Sequence, residues 1–430
     1  MTSETTEGAG ARPTATPGFA EAVMLYARIG LMSFGGPAGQ IALMQSEIVE
    51  RRGWVPGAAF DRGLSFAMML PGPEAQQLAT WLGWRLHGLA GGLAAGGLFI
   101  LPGAILMLLL AWLAAAGGDV PLVAAVFGGV QPVVIAVVLQ AMVKLSGRAL
   151  KAQAAYVLAA LAFVGLVFAD LPFPLIVALA ALAGLFIDLG AQDGPTDRPA
   201  ADAATRSALL RRGGQIVGVS VATVAGVYLL VRAAAGSDPF DGVAELFTSA
   251  AFVSFGGAYA LLPYVADRAV EAYGWLTPAE MLNGLAIAEA TPGPLILVTT
   301  YAGFFAGWTA SDGAVGIALL TGALATFYTF GPSFMLILAF APVVERVQNV
   351  PWARKALAGV SAAVVGVIAN LAVYLAEAAF LPSGLSDPAW AKIVLFTIAL
   401  YLVFVRRMSV LLLVGLGALA GVLLHLAGLL

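Results

Sequence analysis

The chain has 430 residues, 61% of them hydrophobic and 10% charged, with a net charge of −3 and a mean hydropathy of +0.95. A soluble domain carries about 25% charged residues and must cover its surface with polar groups, so the solvent that suits this chain is a lipid bilayer. The absence of cysteine excludes disulfides, iron–sulfur clusters and thiol redox chemistry, two histidines (His87 and His425) argue against a His/Cys metal site, and nothing implies a cofactor or nucleic acid.

In chain order, residues 1–18 are rich in Thr, Ala, Gly, Pro and Glu and lack the apolar stretch of a signal peptide. They read as a disordered cytoplasmic tail. Uninterrupted apolar runs suited to ~30 Å of hydrocarbon lie near 93–116, 121–143, 156–168, 172–187, 215–231, 314–340, 356–380, 390–405 and 409–429. Four further apolar segments, near 19–34, 55–84, 240–255 and 276–308, are interrupted by Gly and Pro.

The chain repeats itself at an offset of 221 residues. Ser33-Phe34-Gly35-Gly36 recurs as Ser254-Phe255-Gly256-Gly257, Gly53-Trp54 as Gly274-Trp275, and Pro71-Gly72-Pro73 as Pro292-Gly293-Pro294. Between Ser33 and Pro73, 15 of 41 positions are identical without a gap. Such a register marks an internal duplication. It divides the chain into a repeat at 19–190, a cytoplasmic loop with a linking transmembrane helix at 191–239, and a second repeat at 240–430.

Basic loops at 144–151, 198–212, 346–355 and 406–407 alternate with acidic ones at Asp119, Asp170, 238–241 and Asp387. Lys/Arg-rich short loops stay in the cytoplasm. If segments 55–84 and 276–308 each cross once, the expected architecture is an all-α integral membrane protein of about 13 crossings. A single linking helix then makes the two repeats inverted, with the N-terminus cytoplasmic and the C-terminus periplasmic. One loop objects, because Arg51-Arg52 would then face the periplasm.

Paired Gly/Pro breaks in two inverted halves point to a transporter's binding site. Pro73 and Pro294 suit the first position of a half-helix, whose free N–H groups and positive dipole end attract an anion without a buried lysine. Glycine at Gly35, Gly36, Gly72, Gly256, Gly257 and Gly293 lets backbone approach a ligand. Hydroxyls and amides at Ser33, Ser254, Gln76 and Gln77 add donors, with Thr291, Thr299 and Thr300 as further hydroxyls. The segments 64–82 and 285–305 contain no Lys or Arg. Glu74 and Glu289, carboxyls beside a helix break in apolar surroundings, are the candidates for proton coupling. Glu21 and Glu245 stand behind them, and Arg28 is the cation placed to reach in from the first helix. Arg85 and His87 are expected at the cytoplasmic end of the first half-helix.

The stretch from Phe34-Gly35-Gly36-Pro37 through Glu47, Arg51-Arg52, Gly53-Trp54, Phe60 and Pro71-Gly72-Pro73 to Ala75-Gln76-Gln77-Leu78-Ala79 resembles the chromate ion transporter family, in its long-chain two-domain form. The second half matches through Phe255-Gly256-Gly257, Gly274-Trp275 and Thr291-Pro292-Gly293-Pro294. The resemblance implies chromate efflux driven by the proton motive force across a bacterial inner membrane, with sulfate as a structural analogue. Its partners would be the oxyanion, protons, the bilayer and a second copy of the chain as a homodimer. Ala258 replaces the proline of the first motif and 295–297 replace Glu-Ala-Gln, so the two half-sites are not equivalent. The alternative substrate is another small inorganic or organic anion. A membrane enzyme is disfavoured, since neither a nucleophile–base pair nor a phosphate-binding loop is present.

Overall fold

In the computed structural model, residues 16–34, 36–118, 120–169, 171–190, 203–255, 258–343, 351–382, 384 and 387–429 are described. They form helices and turns, with no strand among them. The first half contains α1 (Phe19–Met32), α2 (Gly36–Met44) running into a π-helical turn (Gln45–Glu50), α3 (Gly57–Ala67), α4 (Glu74–Ala116), α5 (Pro121–Ala149), α6 (Gln153–Ala169) and α7 (Phe173–Phe186). The linking helix is α8 (Ala203–Ala235). The second half contains α9 (Phe240–Val253), α10 (Ala258–Ala266) with its own π-helical turn (Asp267–Ala272), and α11 (Pro278–Ala290). It continues with a 3₁₀ turn (Leu295–Leu297), α12 (Val298–Ala310), α13 (Val315–Phe340), α14 (Pro351–Phe380), α15 (Trp390–Phe404) and α16 (Val410–Leu426).

The duplication seen in sequence is a duplication of backbone. Ser33 ends α1 at φ −77°, ψ 67° and Ser254 ends α9 at φ −79°, ψ 63°. Gly53 and Gly274 share positive φ (62° and 63°), as do Gly72 and Gly293 (125° and 103°).

The Pro-Gly-Pro segments are the tips of hairpins. A Cβ on Gly63 would stand 2.3 Å from the Trp81 ring. Both residues lie nine positions from Gly72, so α3 and the first arm of α4 (74–86) run antiparallel. In the second half a Cβ on Gly284 would stand 2.5 Å from the Tyr301 ring, and the Thr309 hydroxyl donates to the Trp275 carbonyl at 3.0 Å, closing the base of that hairpin. α4 then doubles back at His87 (φ −138°, ψ 24°) and Gly88 (φ 63°, ψ −151°). Its second arm (89–116) lies against the first, with Gly83 and Gly91 in backbone contact. α12 and α13 repeat this reversal, with Thr300 bonded to Thr326 at 2.7 Å. The Phe19 ring sits 5.4 Å from His87, so α1 starts at the end of the molecule where α4 turns.

These hairpins correct the expectation that 55–84 and 276–308 each cross once. At 1.5 Å per residue, the 11 residues of α3 span about 17 Å, short of the ~30 Å needed, and the Pro-Gly-Pro turn sends the chain back the way it came. The nine uninterrupted apolar runs coincide with the second arm of α4, with α5 to α8 and with α13 to α16.

The halves interlock. The second arm of α4 crosses α13 in antiparallel fashion, Gly92 against Leu338 and Gly322 against Leu108. α5 packs between α15 and α16, and α14 packs between α6 and α7. Glycine makes these approaches close: Gly129 lies on the Gly417 backbone and Gly359 on that of Ala180. Lipid offers no hydrophobic drive for helix association, so close backbone packing of this kind is what holds membrane helices together. α8 stands on the outside against α13, its apolar stretch unburied.

Candidate functional site

The two breaks of each half meet the two breaks of the other. α1 ends because the Ser33 hydroxyl donates to the Ile29 carbonyl at 2.7 Å and the chain leaves helical geometry. The Ser33 carbonyl is thereby turned outward and accepts the Gly293 N–H at 2.9 Å. Ser254, whose hydroxyl donates to Ala251 at 2.9 Å, presents its carbonyl to the Gly72 N–H at 3.0 Å. Each Pro-Gly-Pro has one backbone N–H, because proline has none. Both of those N–H groups are therefore spent on bonds between the halves.

The amides that follow are left over. Gln77 N–H reaches the Pro73 carbonyl at 3.0 Å, so the N–H groups of Glu74, Ala75 and Gln76 have no acceptor within their helix. On the other side the Leu297 N–H returns to Pro294 at 2.9 Å, leaving those of Leu295 and Ile296. Pro73 and Pro294 are extended caps (φ −72° and −67°) preceding the first helical residue. This corrects their expected place by one position, since proline's fixed φ suits the cap equally well.

Side chains close the junction. Gln76 is buried, donates to the Thr80 hydroxyl at 2.9 Å and accepts from Ser333 of α13 at 2.6 Å. Gln77 is buried and donates to the Pro71 carbonyl at 2.8 Å. Gln40 of α2 donates to the Gly293 carbonyl at 2.7 Å and to that of Ser33 at 3.3 Å. The side-chain oxygens of Gln40 and Gln77 are buried without a donor. Gly72 is buried, and a Cβ there would stand 2.8 Å from the Ser333 hydroxyl.

The predicted residues divide into those gathered here and those elsewhere. Ser33, Gly72, Pro73, Gln76, Gln77, Ser254, Gly293 and Pro294 come together at the junction, and Gly36 opens α2 beside it at φ 71°. Gly35, Gly256 and Gly257 lie outside the described residues. Glu74 is half-buried as the first residue of α4. Glu289, near the end of α11, accepts the Tyr259 hydroxyl of α10. The hydroxyls of Thr291 and Thr299 bond to helix carbonyls at 3.3 and 2.8 Å. Arg28, Glu21 and Glu245 are exposed on α1 and α9, and Arg85 is exposed beside the Trp81 ring. No described guanidinium lies among the junction's hydrogen bonds.

Sequence reasoning passed over Gln40, Tyr259 and Ser333. Gln40 carried a signal, as the lone amide in an apolar half-helix four residues after a break. Ser333 follows Gly331-Pro332, a Gly-Pro pair inside an otherwise continuous apolar run. Tyr259 has no counterpart in the first half, where Ala38 stands.

Family comparison places this geometry. The model of a family described as "Chromate transporter" matches residues 20–185 and 242–422, one block per half. The chain belongs to the chromate transporter family. A chromate transport protein of Pseudomonas aeruginosa is 31% identical over 363 residues, 82% of this chain and 80% of that one. One of Cupriavidus metallidurans is 26% identical over 407 residues, 94% of this chain and 93% of its own. A probable chromate transport protein of Synechococcus elongatus is 27% identical over 352 residues, 81% and 82% of the two chains. No solved structure matches. Both family blocks contain one break of each kind, so the junction lies inside the matched region of each half.

Proposed function

We propose that this chromate transporter family member is a secondary transporter that exports chromate from the cytoplasm at the expense of the proton motive force, with sulfate as an analogue. The observation that carries this reading is the pair of crossed bonds, Gly72 N–H to the Ser254 carbonyl and Gly293 N–H to the Ser33 carbonyl. They join four broken half-helices at one point and leave the free amides of 74–76 and 295–296 beside it. Opposed helix N-termini, each worth roughly half a positive charge, offset about one unit of an anion's charge there. The remainder falls to a proton. The buried, donor-less oxygens of Gln40 and Gln77 favour a ligand that carries an O–H, and Glu74 and Glu289 are the groups that exchange a proton with it. Ser33, Gln76, Gln77 and Ser254 shape the pocket, with Gly35, Gly36, Gly256 and Gly257 allowing close approach.

The same arrangement supports nine crossings with two re-entrant hairpins per half, the halves being inverted. Re-entry returns Arg51-Arg52 to the side of 144–151 and 406–407, so every cluster of basic residues is cytoplasmic, as the distribution of Lys and Arg requires. The N-terminus is then cytoplasmic and the C-terminus periplasmic. Backbone without regular pairing is tolerated at membrane depth where protein buries it, as here. In the closed junction the crossed bonds hold both tips. Rocking one half against the other breaks one bond of the pair and opens one side at a time.

The test is chromate accumulation in cells with and without the protein, repeated with sulfate as competitor and with the proton gradient collapsed. Equal accumulation with and without the protein would sink the reading. Export that ignores the gradient would remove the proton from it. Export of another small anion in place of chromate would keep the mechanism and change the substrate.

A further inference from the structure

The linking helix α8 packs against α13 and α9 and leaves a gap beside the second arm of α4. The gap is an apolar groove of about 730 Å³, walled by α4 of the first half, α13 of the second and α8 across them. α8 stays close to α13 along it: a Cβ on Gly213 would stand 3.1 Å from the Ala339 carbonyl, and one on Gly331 3.7 Å from Val224. Leu89, Leu93, Leu101 and Val219 line the groove and remain exposed. The charged residue among the described lining is Arg212, which is exposed, and no carboxylate is among that lining. Gly92 touches both Trp84 and Leu338, and Gly213 touches Ala339, so Arg212, Gln215 and Trp84 share the end of the groove nearest the turn at His87–Gly88. Further along, the hydroxyls of Thr223 and Thr326 are spent on helix carbonyls at 2.8 and 2.9 Å, and Ser220 is the other polar residue of the wall. The lining runs from Arg212 to Val224 on α8, a rise of about 18 Å, which is about one leaflet's share of a ~30 Å hydrocarbon core.

We infer that this groove is a binding site for one anionic phospholipid, its acyl chain laid along α8 and its phosphate held by Arg212 and Gln215. The two ends of the groove set the occupant. Its walls are apolar to the depth of one leaflet, which suits an acyl chain and offers no partners to a polar ligand or an irregular peptide backbone. Its open end carries a guanidinium, whose fork of donors matches a phosphate. Residues 198–212 hold four arginines and one aspartate, and basic residues just outside a membrane helix attract anionic headgroups. A tryptophan at the same end is in keeping with the membrane–water interface. A lipid seated here touches α4 of one half and α13 of the other, on the seam where those helices cross, so it bears on any movement of the halves against each other. The leaflet it comes from rests on the orientation proposed above, whereas the binding rests on neither the orientation nor the transport reading.

The experiment is native mass spectrometry of the full chain released from nanodiscs of phosphatidylglycerol and phosphatidylcholine in equal parts. The unmodified chain should retain one phosphatidylglycerol in preference to phosphatidylcholine. Arg212→Gln should cut that preference about fivefold, the worth of one cation near a membrane surface, and Arg212→Lys should keep most of it. Arg211→Gln is the control for surface charge in general, because Arg211 does not line the groove, and should change the preference less than twofold. Gly97 lines the groove and a Cβ on it meets nothing within 4 Å, so Gly97→Leu fills the space without a clash and should abolish retention of either lipid. Equal retention of the two headgroups by the unmodified chain overturns the inference, as does an Arg211→Gln effect as large as that of Arg212→Gln, or undiminished lipid in Gly97→Leu. A dimer that Gly97→Leu dissolves, with no headgroup preference, overturns it too and gives the groove to a second copy of the chain. Flux enters none of these readings, so their outcome is independent of the transport proposal.

Discussion

Replacing Gly72 by alanine should damage the transporter more than the same change at Gly293. Gly72 sits at φ 125° and Gly293 at φ 103°, conformations in which a Cβ costs about 1–3 kcal/mol at either position. The surroundings then separate the two. At Gly72 the new Cβ stands 2.6 Å from the Gln77 amide nitrogen and 2.8 Å from the Ser333 hydroxyl. Both atoms are pinned, Gln77 to the Pro71 carbonyl and Ser333 to Gln76. Moving them breaks two buried hydrogen bonds at about 1 kcal/mol each, giving a total of roughly 3–5 kcal/mol. At Gly293 the Cβ meets a Leu297 methyl at 2.9 Å and the Gly103 Cα at an ordinary 3.5 Å, and no hydrogen bond is lost. The expected difference of about 2 kcal/mol is a factor of roughly 30 in the population of the closed junction. Chromate flux in vesicles, normalised to inserted protein by tag fluorescence, should therefore fall much further for Gly72→Ala than for Gly293→Ala. Equal flux in the two variants, or wild-type flux in Gly72→Ala, refutes the account of the junction as a rigid, bonded closure.

Glu74→Gln and Glu289→Gln should each flatten the dependence of flux on an imposed pH gradient, and Tyr259→Phe should shift the profile in the same sense as Glu289→Gln; normal pH dependence in all three would show that neither carboxyl couples. Gln40→Leu removes the bond that fixes the Gly293 carbonyl, and should cut flux by about tenfold while the protein still inserts, read from the same vesicle assay. Gly63→Ala places a Cβ 2.3 Å from a buried indole and should lower yield and cost about 1–3 kcal/mol of stability, with Trp81→Leu in the same chain restoring both. Because the chain has no cysteine, Arg51→Cys and Lys151→Cys should react with an impermeant maleimide from one face of the membrane and Ala272→Cys from the other. Arg51→Cys reacting from the face opposite Lys151→Cys would return the count to thirteen.

The duplicated breaks and the helical class were legible because each rests on local chemistry. Proline and glycine interrupt a helix wherever they fall, and a matched pair of interruptions at a fixed offset survives any uncertainty about folding. The long runs were equally plain, since length and apolarity alone decide whether a helix can span. Direction after a break is different. Pro-Gly-Pro permits a kink or a reversal, and which occurs depends on what the next turn packs against. Here Gly63 faces Trp81 and Gly284 faces Tyr301, a glycine against an aromatic ring in both halves. The glycine is conserved between the halves and the aromatic position drifts by one residue, from nine to eight after the tip, which hides the pairing from an ungapped comparison. Gln40 and Ser333 were hidden for a related reason: their partners are a carbonyl and an amide on the opposite half, more than 250 residues away.

The loop that disagreed with the charge rule held the missing information. Arg51 and Arg52 both bond to Glu47, which lowers their cost near a membrane surface without changing which surface they occupy. Acids count for little in setting orientation, so the pair had to be cytoplasmic or the rule had to fail locally. A straight passage through 55–84 demands the failure; a hairpin removes it with no other loop changing side. The same step in the second half moves 267–275 to the opposite face, where Arg268 lies 3.7 Å from Glu245 and the basic clusters are absent. The proposed first hairpin thus agrees with the charge distribution taken as binding on every loop, and the proposed inversion of the halves is compatible with it, because each pair of re-entrant hairpins replaces two crossings and parity is kept.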